Sequence, residues 1–180
     1  GGCGGMGGGV EAAEAIVAID PGALHTGVVH MTRRRVLDSR TFAFKEGCGA
    51  DNGLLDARCE EIWTLLRRFL ETHEHGLVVM EGFVPYPGRC SGTKGSHQAP
   101  WLCGQLLGHL REAGEEVVLQ TSRQVLNPKT RGNAAWTVDW LRNRQQFYLG
   151  QGLVTNEHER SAFAHGWYIL HGAGAGHEEG

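Results

Sequence analysis

Apolar and polar positions along this chain form short runs and amphipathic segments, whose order predicts an α/β fold. The first apolar run, residues 15–20, ends in Asp20 and is followed by Pro21-Gly22, which is typical of a strand that closes in a turn. A second run at 28–31 predicts the return arm of a hairpin. Partial alternation over residues 36–44 predicts a third strand.

Helical spacing follows these three predicted strands. Residues 54–70 carry apolar side chains at helical intervals with charged residues between them, which predicts an amphipathic helix. The remaining predicted elements are strands at 76–81 and 116–120 and helices at 100–113, 133–145 and 156–171. This order predicts a mixed five-stranded α/β sheet with helices on both faces. Gly104 and Gly108, one helical turn apart, permit close packing against the sheet or a partner.

Glycine-rich ends enclose this pattern and set the expected domain limits. Residues 1–13 and 172–180 predict flexible tails around one folded domain at 14–171. The 180-residue chain has a net charge of −3 at pH 7, and glutamates near the two ends account for the acidic excess. The near-neutral folded part permits a polyanionic partner without requiring one.

Membrane and cysteine patterns narrow the class of protein. No long apolar run predicts a membrane span. The five cysteines are odd in number and lack a C-x-x-C pair, which indicates a reduced protein without a disulfide framework or structural zinc. We therefore expect a cytoplasmic location.

Two acidic residues carry the first candidate chemistry. Asp20 and Glu81 each end an apolar strand, so they share one cluster if the two strands are neighbours. A few carboxylate oxygens, completed by water and substrate phosphate, are the ligands that Mg²⁺ prefers. The alternative interpretations are structural: Asp20 caps a turn, and Glu81 is an acid at a strand end in water.

The start of the last predicted helix carries the second candidate chemistry. Asn156 followed by Glu159 indicates a capping box, which gives Glu159 a structural explanation. His158 and Ser161 are three residues apart, and Glu157 and Ser161 are four apart, so these three side chains can border one helix face. The alternative for His158 is an ordinary surface residue.

Three motifs, taken together and in order, resemble those of the RuvC-type Holliday-junction resolvases, which belong to the ribonuclease H-like nuclease superfamily. They are Ile-Asp-Pro-Gly-x-x-x-Thr-Gly from residue 19, Val-Val-Met-Glu from residue 78, and His-x-x-Ser-Ala-Phe-Ala from residue 158, and the resemblance runs from about residue 16 to residue 171. It implies a ribonuclease H-like nuclease domain over 14–171.

The resemblance also implies a role for each acidic position. Asp20 would be the central acid that contacts both metal ions, Glu81 the second acid, and His158 and Ser161 the pair on the last helix. Ser161 departs from the family, which usually has an acid there, and a neutral serine is a poor metal ligand. Glu157, one turn earlier, could supply the missing carboxylate directly or through water.

Contacts to nucleic acid are implied for two segments. In the family, lysines and arginines after the fifth strand contact DNA phosphates, and Arg123, Lys129 and Arg131 fall there. The loop after Glu81 holds further candidates, of which the aromatic ones can stack on an unpaired base: Phe83, Tyr86 and Lys94. The alternative for the aromatic residues is ordinary anchoring of the loop.

The expected function is metal-dependent endonuclease activity on branched DNA by two-metal phosphodiester hydrolysis. The expected cofactor is Mg²⁺, for which Mn²⁺ can substitute because it tolerates imidazole better. The resemblance implies a homodimer, and neither a membrane nor a nucleotide cofactor is expected. Alternatives are a weakened or inactive junction-binding module, a nuclease of the same fold that acts on RNA, and, less favoured, a phosphate-loop kinase of the actin-like superfamily.

Overall fold

A mixed sheet of five strands forms the centre of the computed structural model, which describes residues 15–49, 51–83, 98–121, 125, 153–154 and 156–171. The strands are β1 (Ile16–Asp20), β2 (His25–Met31), β3 (Val36–Ala43), β4 (Leu77–Glu81) and β5 (Val117–Gln120). Their spatial order is β3-β2-β1-β4-β5. β1 pairs antiparallel with β2 and parallel with β4, β2 pairs antiparallel with β3, and β4 pairs parallel with β5.

Helices cover both faces of this sheet. Their bounds in the described residues are α1 (Asn52–Thr72), α2 (Gln98–Glu112) and α3 (Glu157–His171). α1 begins where the Asp51 carboxylate accepts the backbone N–H of Leu54, 3.1 Å away, which satisfies one of the free donors of the first turn. The predicted mixed five-stranded α/β sheet with helices on both faces is therefore confirmed.

Strand alternation divides the apolar side chains between two cores. In β1, Val17 and Ile19 pack with α1 and α2, whereas Ile16 and Ala18 pack with α3. β4 divides in the same way, with Val79 on the α3 side. Because side chains alternate along a strand, Asp20 follows the α3 side of β1, and Glu81 follows the α3 side of β4. The fold thus directs both acids toward one helix.

α3 lies unusually close to the sheet because two glycines leave it room. A Cβ at Gly166 would crowd the Met31 sulfur and lie 3.1 Å from the Ala18 Cβ. A Cβ at Gly27 in β2 would overlap the backbone carbonyl of His158. The beginning of α3 is consequently held against the end of the β1–β2 hairpin.

Two sequence expectations need correction. β2 begins at His25, three residues before the predicted start, because Thr26 closes the turn by exchanging hydrogen bonds with the backbone of Gly22 at 2.9 and 3.2 Å. Gly104 and Gly108 do not pack against the sheet, since a Cβ at either would meet no atom within 4 Å in the part of the chain that the structure describes. They lie on the exposed side of α2.

Other expectations concern segments beyond this description. The tails at 1–13 and 172–180 and the helix at 133–145 lie outside the described residues. Three cysteines are described, Cys48, Cys59 and Cys103, and each is a buried free thiol. None of the helices within the described ranges has both the length and the apolar character needed to cross a bilayer.

Candidate active site

Asp20 and Glu81 meet at the carboxyl ends of adjacent parallel strands. Ile19 is in register with Met80, so the next residue of each strand brings its carboxylate to the same edge. The two carboxyl groups are close enough for each to affect the ionisation of the other, and each side chain is 18% exposed. The condition for a shared cluster, that the two strands are neighbours, is therefore met.

The contact between these carboxyl groups requires a proton, since two ionised carboxylates have no donor between them. Burial, and after it the neighbouring Glu81 carboxyl group, together raise the pKa of Asp20 from 3.8 to about 8. At neutral pH Asp20 therefore holds a proton in this arrangement. Two carboxyl groups thus lie side by side in a place where a second negative charge is unfavourable.

The first turns of α3 bring three more predicted residues to this edge. The Ser161 side chain hydrogen-bonds to Asp20 and opposes the rise of its pKa, as expected for a hydroxyl that donates to the ionised form. His158 Nδ1 lies 3.8 Å from Asp20 Oδ2. Glu157 is 77% exposed at the rim, where its Oε1 lies 3.6 Å from His158 Nε2 and its charge raises the Asp20 pKa.

His25 is a neighbour of the site that the sequence reasoning missed. Its ring stacks on that of His158, with centroids 4.7 Å apart and planes inclined by 13°. The residue stands at the start of β2, two positions before Gly27, and therefore on the same side of the strand. The alternation of β2 was the signal that could have found it.

Glu159 has a different role from the one predicted. Asn156 does begin α3, because its side-chain oxygen accepts the backbone N–H groups of His158 and Glu159 at 3.0 Å each. The Glu159 carboxylate contacts β3. It is 4% exposed and accepts hydrogen bonds from Ser39 Oγ at 3.2 Å and Thr41 Oγ1 at 3.0 Å. It anchors the start of α3 to β3.

His165 is a second neighbour that the sequence reasoning did not assign. It lies in α3 one turn after Ser161 and is fully buried. Its Nε2 lies 3.7 Å from Glu81 Oε2, and its Nδ1 lies 3.3 Å from Gln120 Oε1. On the other side of β4, the Cys103 thiol donates to the Glu81 backbone carbonyl at 3.4 Å, and burial raises the pKa of that thiol to about 12.

The predicted nucleic-acid contacts are mostly beyond the structural description. Phe83, two residues after Glu81, is 50% exposed. The other five predicted residues lie outside the described ranges: Tyr86, Lys94, Arg123, Lys129 and Arg131. Their roles stay predictions, and the exposed ring of Phe83 is available for stacking.

The donor set fits a divalent cation by its chemistry. No three His, Cys, Asp or Glu side chains of the described residues are arranged around a common point as metal ligands. The raised pKa of Asp20 beside Glu81 means that the pair resists carrying two negative charges, and a bound cation would relieve that repulsion. Carboxylate, hydroxyl and imidazole groups suit Mg²⁺ or Mn²⁺, and the nearby Cys103 stays a neutral thiol.

Comparison with known proteins identifies the fold. The chain is similar to the RuvC of Thermus thermophilus solved in complex with a Holliday junction substrate, with a TM-score of 0.59 and 18% identity over 89% of this chain and 96% of that one. A second structure of T. thermophilus RuvC gives a TM-score of 0.56 and 19% identity over 86% and 95% of the two chains. No protein-family model and no curated protein sequence matches the chain. Its fold is RuvC-like and ribonuclease H-like.

Proposed function

On the premise of a RuvC-like fold, we propose that this protein is a metal-dependent endonuclease that cleaves branched DNA, with Holliday junctions as its substrate class. The observation that carries the proposal is the placement of Asp20 and Glu81 side by side at the ends of the parallel strands β1 and β4. Two buried acids at the same sheet edge cost stability through desolvation and repulsion, and such a cost is typical of a functional site. The similar T. thermophilus protein was solved with a Holliday junction substrate, which supports the choice of branched DNA.

The proposed ligands are Asp20, Glu81 and His158, with Ser161 and Glu157 beside them. When bound there, Mg²⁺ or Mn²⁺ supplies electrophilic stabilisation of the phosphodiester and a water of lowered pKa. Two residues beside the proposed ligands would favour binding of the cation. The Ser161 hydroxyl favours the ionised form of Asp20, and the His25 ring fixes the plane of His158.

The charges of α3 give Glu157 a specific part in the proposal. Ser161 supplies a hydroxyl where the resemblance leads us to expect an acid, so the ligand set has one negative charge fewer. Glu157 is the exposed acid nearest to His158, at 3.6 Å. We infer that it contributes its charge from the rim, either directly or through a bound water.

Substrate binding is proposed for residues that follow β4 and β5 in the sequence. The ring of Phe83, and that of Tyr86, would stack on an unpaired base near the branch point. The basic side chains would contact backbone phosphates: Lys94, Arg123, Lys129 and Arg131. Paired nicks across a junction require two sites, so the proposed active species is a homodimer.

One observation favours a second candidate function. The neutral Ser161 hydroxyl occupies the position next to Asp20 that the resemblance assigns to an acid. With that charge missing, the protein could bind branched nucleic acid without cutting it. Such a binding module would show salt-dependent affinity for junctions, since phosphate contacts release counterions.

The deciding experiment is cleavage of a synthetic four-way DNA junction compared with linear duplex and a four-way RNA junction, in Mg²⁺ and in Mn²⁺. The wild type is compared with Asp20→Asn, Glu81→Gln and Glu157→Gln. Glu112→Gln is the matched control, because Glu112 is an exposed acid at the end of α2. All variants are first checked for folding and for junction binding.

Paired nicks near the DNA branch point that disappear in Asp20→Asn and Glu81→Gln, but persist in Glu112→Gln, would establish the proposed nuclease. Loss in Glu157→Gln would assign Glu157 to the site. Tight junction binding without nicks in either metal would contradict the proposed nuclease activity and favour the second candidate, a junction-binding module. Cleavage of the RNA junction alone would mean that the substrate is branched RNA and not branched DNA.

A further inference from the structure

We propose that His165 is a positioning residue that orients the Glu81 carboxylate through its Nε2–H group. The inference rests on the proposed metal centre at Asp20 and Glu81, and adds a residue that does not itself contact the reacting atoms. Its basis is geometric. The His165 side chain is fully buried, and its Nε2 lies 3.7 Å from Glu81 Oε2.

The surroundings of His165 do not explain the residue as part of an ordinary core. It lies on a helix between Ala164 and Gly166, which are both buried. Within the described residues, His165 Nε2 is a buried nitrogen with no hydrogen-bond partner. A buried polar group without a partner is unfavourable, so a leucine of similar volume would stabilise a purely structural core better. His165 Nε2 instead lies beside the Glu81 carboxylate, which gives this nitrogen a role outside the apolar core.

Gln120 holds the other side of the imidazole ring. It is in register with Glu81 across the parallel β4–β5 pair, and is 4% exposed. The structure places Gln120 Oε1 toward His165 Nδ1, at 3.3 Å. The reversed amide is nearly isosteric, and because it presents NH₂ to Nδ1 it leaves the ring proton on Nε2. In that orientation His165 donates toward Glu81 while Gln120 fixes the ring.

One face of α3 therefore carries a residue beside each of the two acids, Asp20 and Glu81. Ser161 contacts Asp20, and His165, one turn later, faces Glu81. The rise of about 5.4 Å per helical turn is close to the separation of about 4.8 Å between neighbouring strands, so residues one turn apart on one helix can contact both β1 and β4. Groups that orient a metal ligand from behind typically change metal affinity by about 10- to 100-fold when removed.

The first test measures cation binding without DNA. Titration calorimetry with Mn²⁺ and Mg²⁺ is performed on the wild type, His165→Leu and His165→Gln. Leucine conserves the volume and removes the N–H donor, whereas glutamine retains a donor. His30→Leu is the matched control, since His30 is also buried with an unpartnered ring nitrogen among the described residues, but pairs with Val17 away from the acids.

We expect His165→Leu to weaken Mn²⁺ binding by about 10-fold or more. Its unfolding midpoint in urea should fall modestly, because Gln120 loses its hydrogen-bond partner. His165→Gln should recover most of the affinity, and His30→Leu should leave it unchanged. Wild-type affinity in a folded His165→Leu protein would overturn the inference. So would an equal loss of affinity in His30→Leu, because it would reveal a general effect of repacking.

The second test observes the contact directly and does not depend on cation binding. Long-range ¹H–¹⁵N spectra of the imidazoles report which ring nitrogen of His165 carries the proton. We expect a protonated Nε2 whose resonance moves in Glu81→Gln and not in Glu112→Gln. An unprotonated Nε2, or a resonance insensitive to Glu81→Gln, would overturn the inference even if His165→Leu failed to fold.

The two tests also separate this inference from the proposed function. If the wild type bound neither Mg²⁺ nor Mn²⁺, the metal-dependent nuclease would be contradicted, while the spectra would still decide whether His165 holds Glu81. If the protein cleaved junctions and His165→Leu kept full cation affinity, the nuclease would stand and the positioning role would fail.

Discussion

The imidazole of His158 lies face to face with that of His25, with ring centroids 4.7 Å apart and planes inclined by 13°. His158 is in the first turn of α3, and His25 is the first residue of β2. The stack joins the helix to the sheet edge immediately beside Asp20, whose Oδ2 is 3.8 Å from the His158 Nδ1. The orientation of the candidate ligand His158 therefore depends on a residue from a different element.

This stack leads to the first prediction. His25→Ala should lower junction cleavage by about 10-fold, because a freely rotating His158 ring loses its preorganised position. His25→Phe, which keeps a stacking partner, should stay within about 3-fold of the wild type. Single-turnover cleavage assays at saturating enzyme separate this effect from binding. Equal losses in both variants would indicate that His25 acts through its nitrogens.

A second prediction tests the close approach of α3 to β2. Gly27→Ala should lower cleavage by about 100-fold, because its Cβ would overlap the His158 backbone carbonyl and move the helix start away from Asp20. Urea unfolding should show a loss of about 1–3 kcal/mol.

Gly104→Ala is the matched control for that substitution. A Cβ at Gly104 meets nothing within 4 Å, and the residue lies inside α2. The variant should gain roughly 0.5–1 kcal/mol of stability and keep full activity, because alanine is a better helix former than glycine. Full activity of Gly27→Ala would contradict the role assigned to the glycine.

A third prediction concerns pH and the metal-free protein. The pKa of Asp20 is raised from 3.8 to about 8 in the folded state, so between these values the folded state binds more protons than the unfolded state. In EDTA, the stability of the wild type should consequently fall as the pH rises from about 4 to about 8. Asp20→Asn should remove part of this slope, and should be about 1 kcal/mol or more above the wild type at pH 8.

Urea unfolding across that pH range provides the measurement. Glu112→Gln should follow the wild-type slope, because its carboxylate is exposed on α2. The difference between Asp20→Asn and the wild type should shrink as the pH falls. Parallel curves for the two proteins over the whole range would contradict the raised pKa.

The fourth prediction contrasts two neighbouring glutamates. Glu159→Ala should cost about 2–4 kcal/mol, since it removes a buried acceptor from the hydroxyls of Ser39 and Thr41. Glu157→Ala should change the stability by less than about 0.5 kcal/mol, because that side chain is 77% exposed. Urea unfolding in EDTA measures both. Similar costs for the two would mean that the Glu159 contacts contribute nothing specific.

The elements of this fold were predictable because apolar residues repeat with the period of their secondary structure. Residues 15–20 and 76–81 were expected as strands, and 54–70 as a helix; the structure has β1, β4 and α1 at these places. Asp20 and Glu81 were expected to share a site if their strands were neighbours. The local sequence does not show which strands are neighbours. The parallel pairing of β1 with β4 brings the two acids together.

The misassigned residues have one cause in common. Glu159 matched a capping box, and Gly104 and Gly108 matched a packing stripe, since short motifs report only on their own helix. Which strand faces a side chain is decided by the register of distant segments. β3 pairs with β2 through Thr41 and Gly27. This pairing brings the Thr41 hydroxyl to the Glu159 carboxylate. His25 and His165 escaped notice for the same reason.

The order of the site residues along the chain also has a consequence for biosynthesis. Asp20 and Glu81 belong to strands made early, whereas His158, Ser161 and His165 belong to α3, which leaves the ribosome only after residues 21–156 have been made. Until α3 docks, the two acids lack the hydroxyl and imidazole groups that surround them in the folded protein. A partly synthesised chain would thus have an incomplete centre, which is completed only when the last helix packs on the sheet.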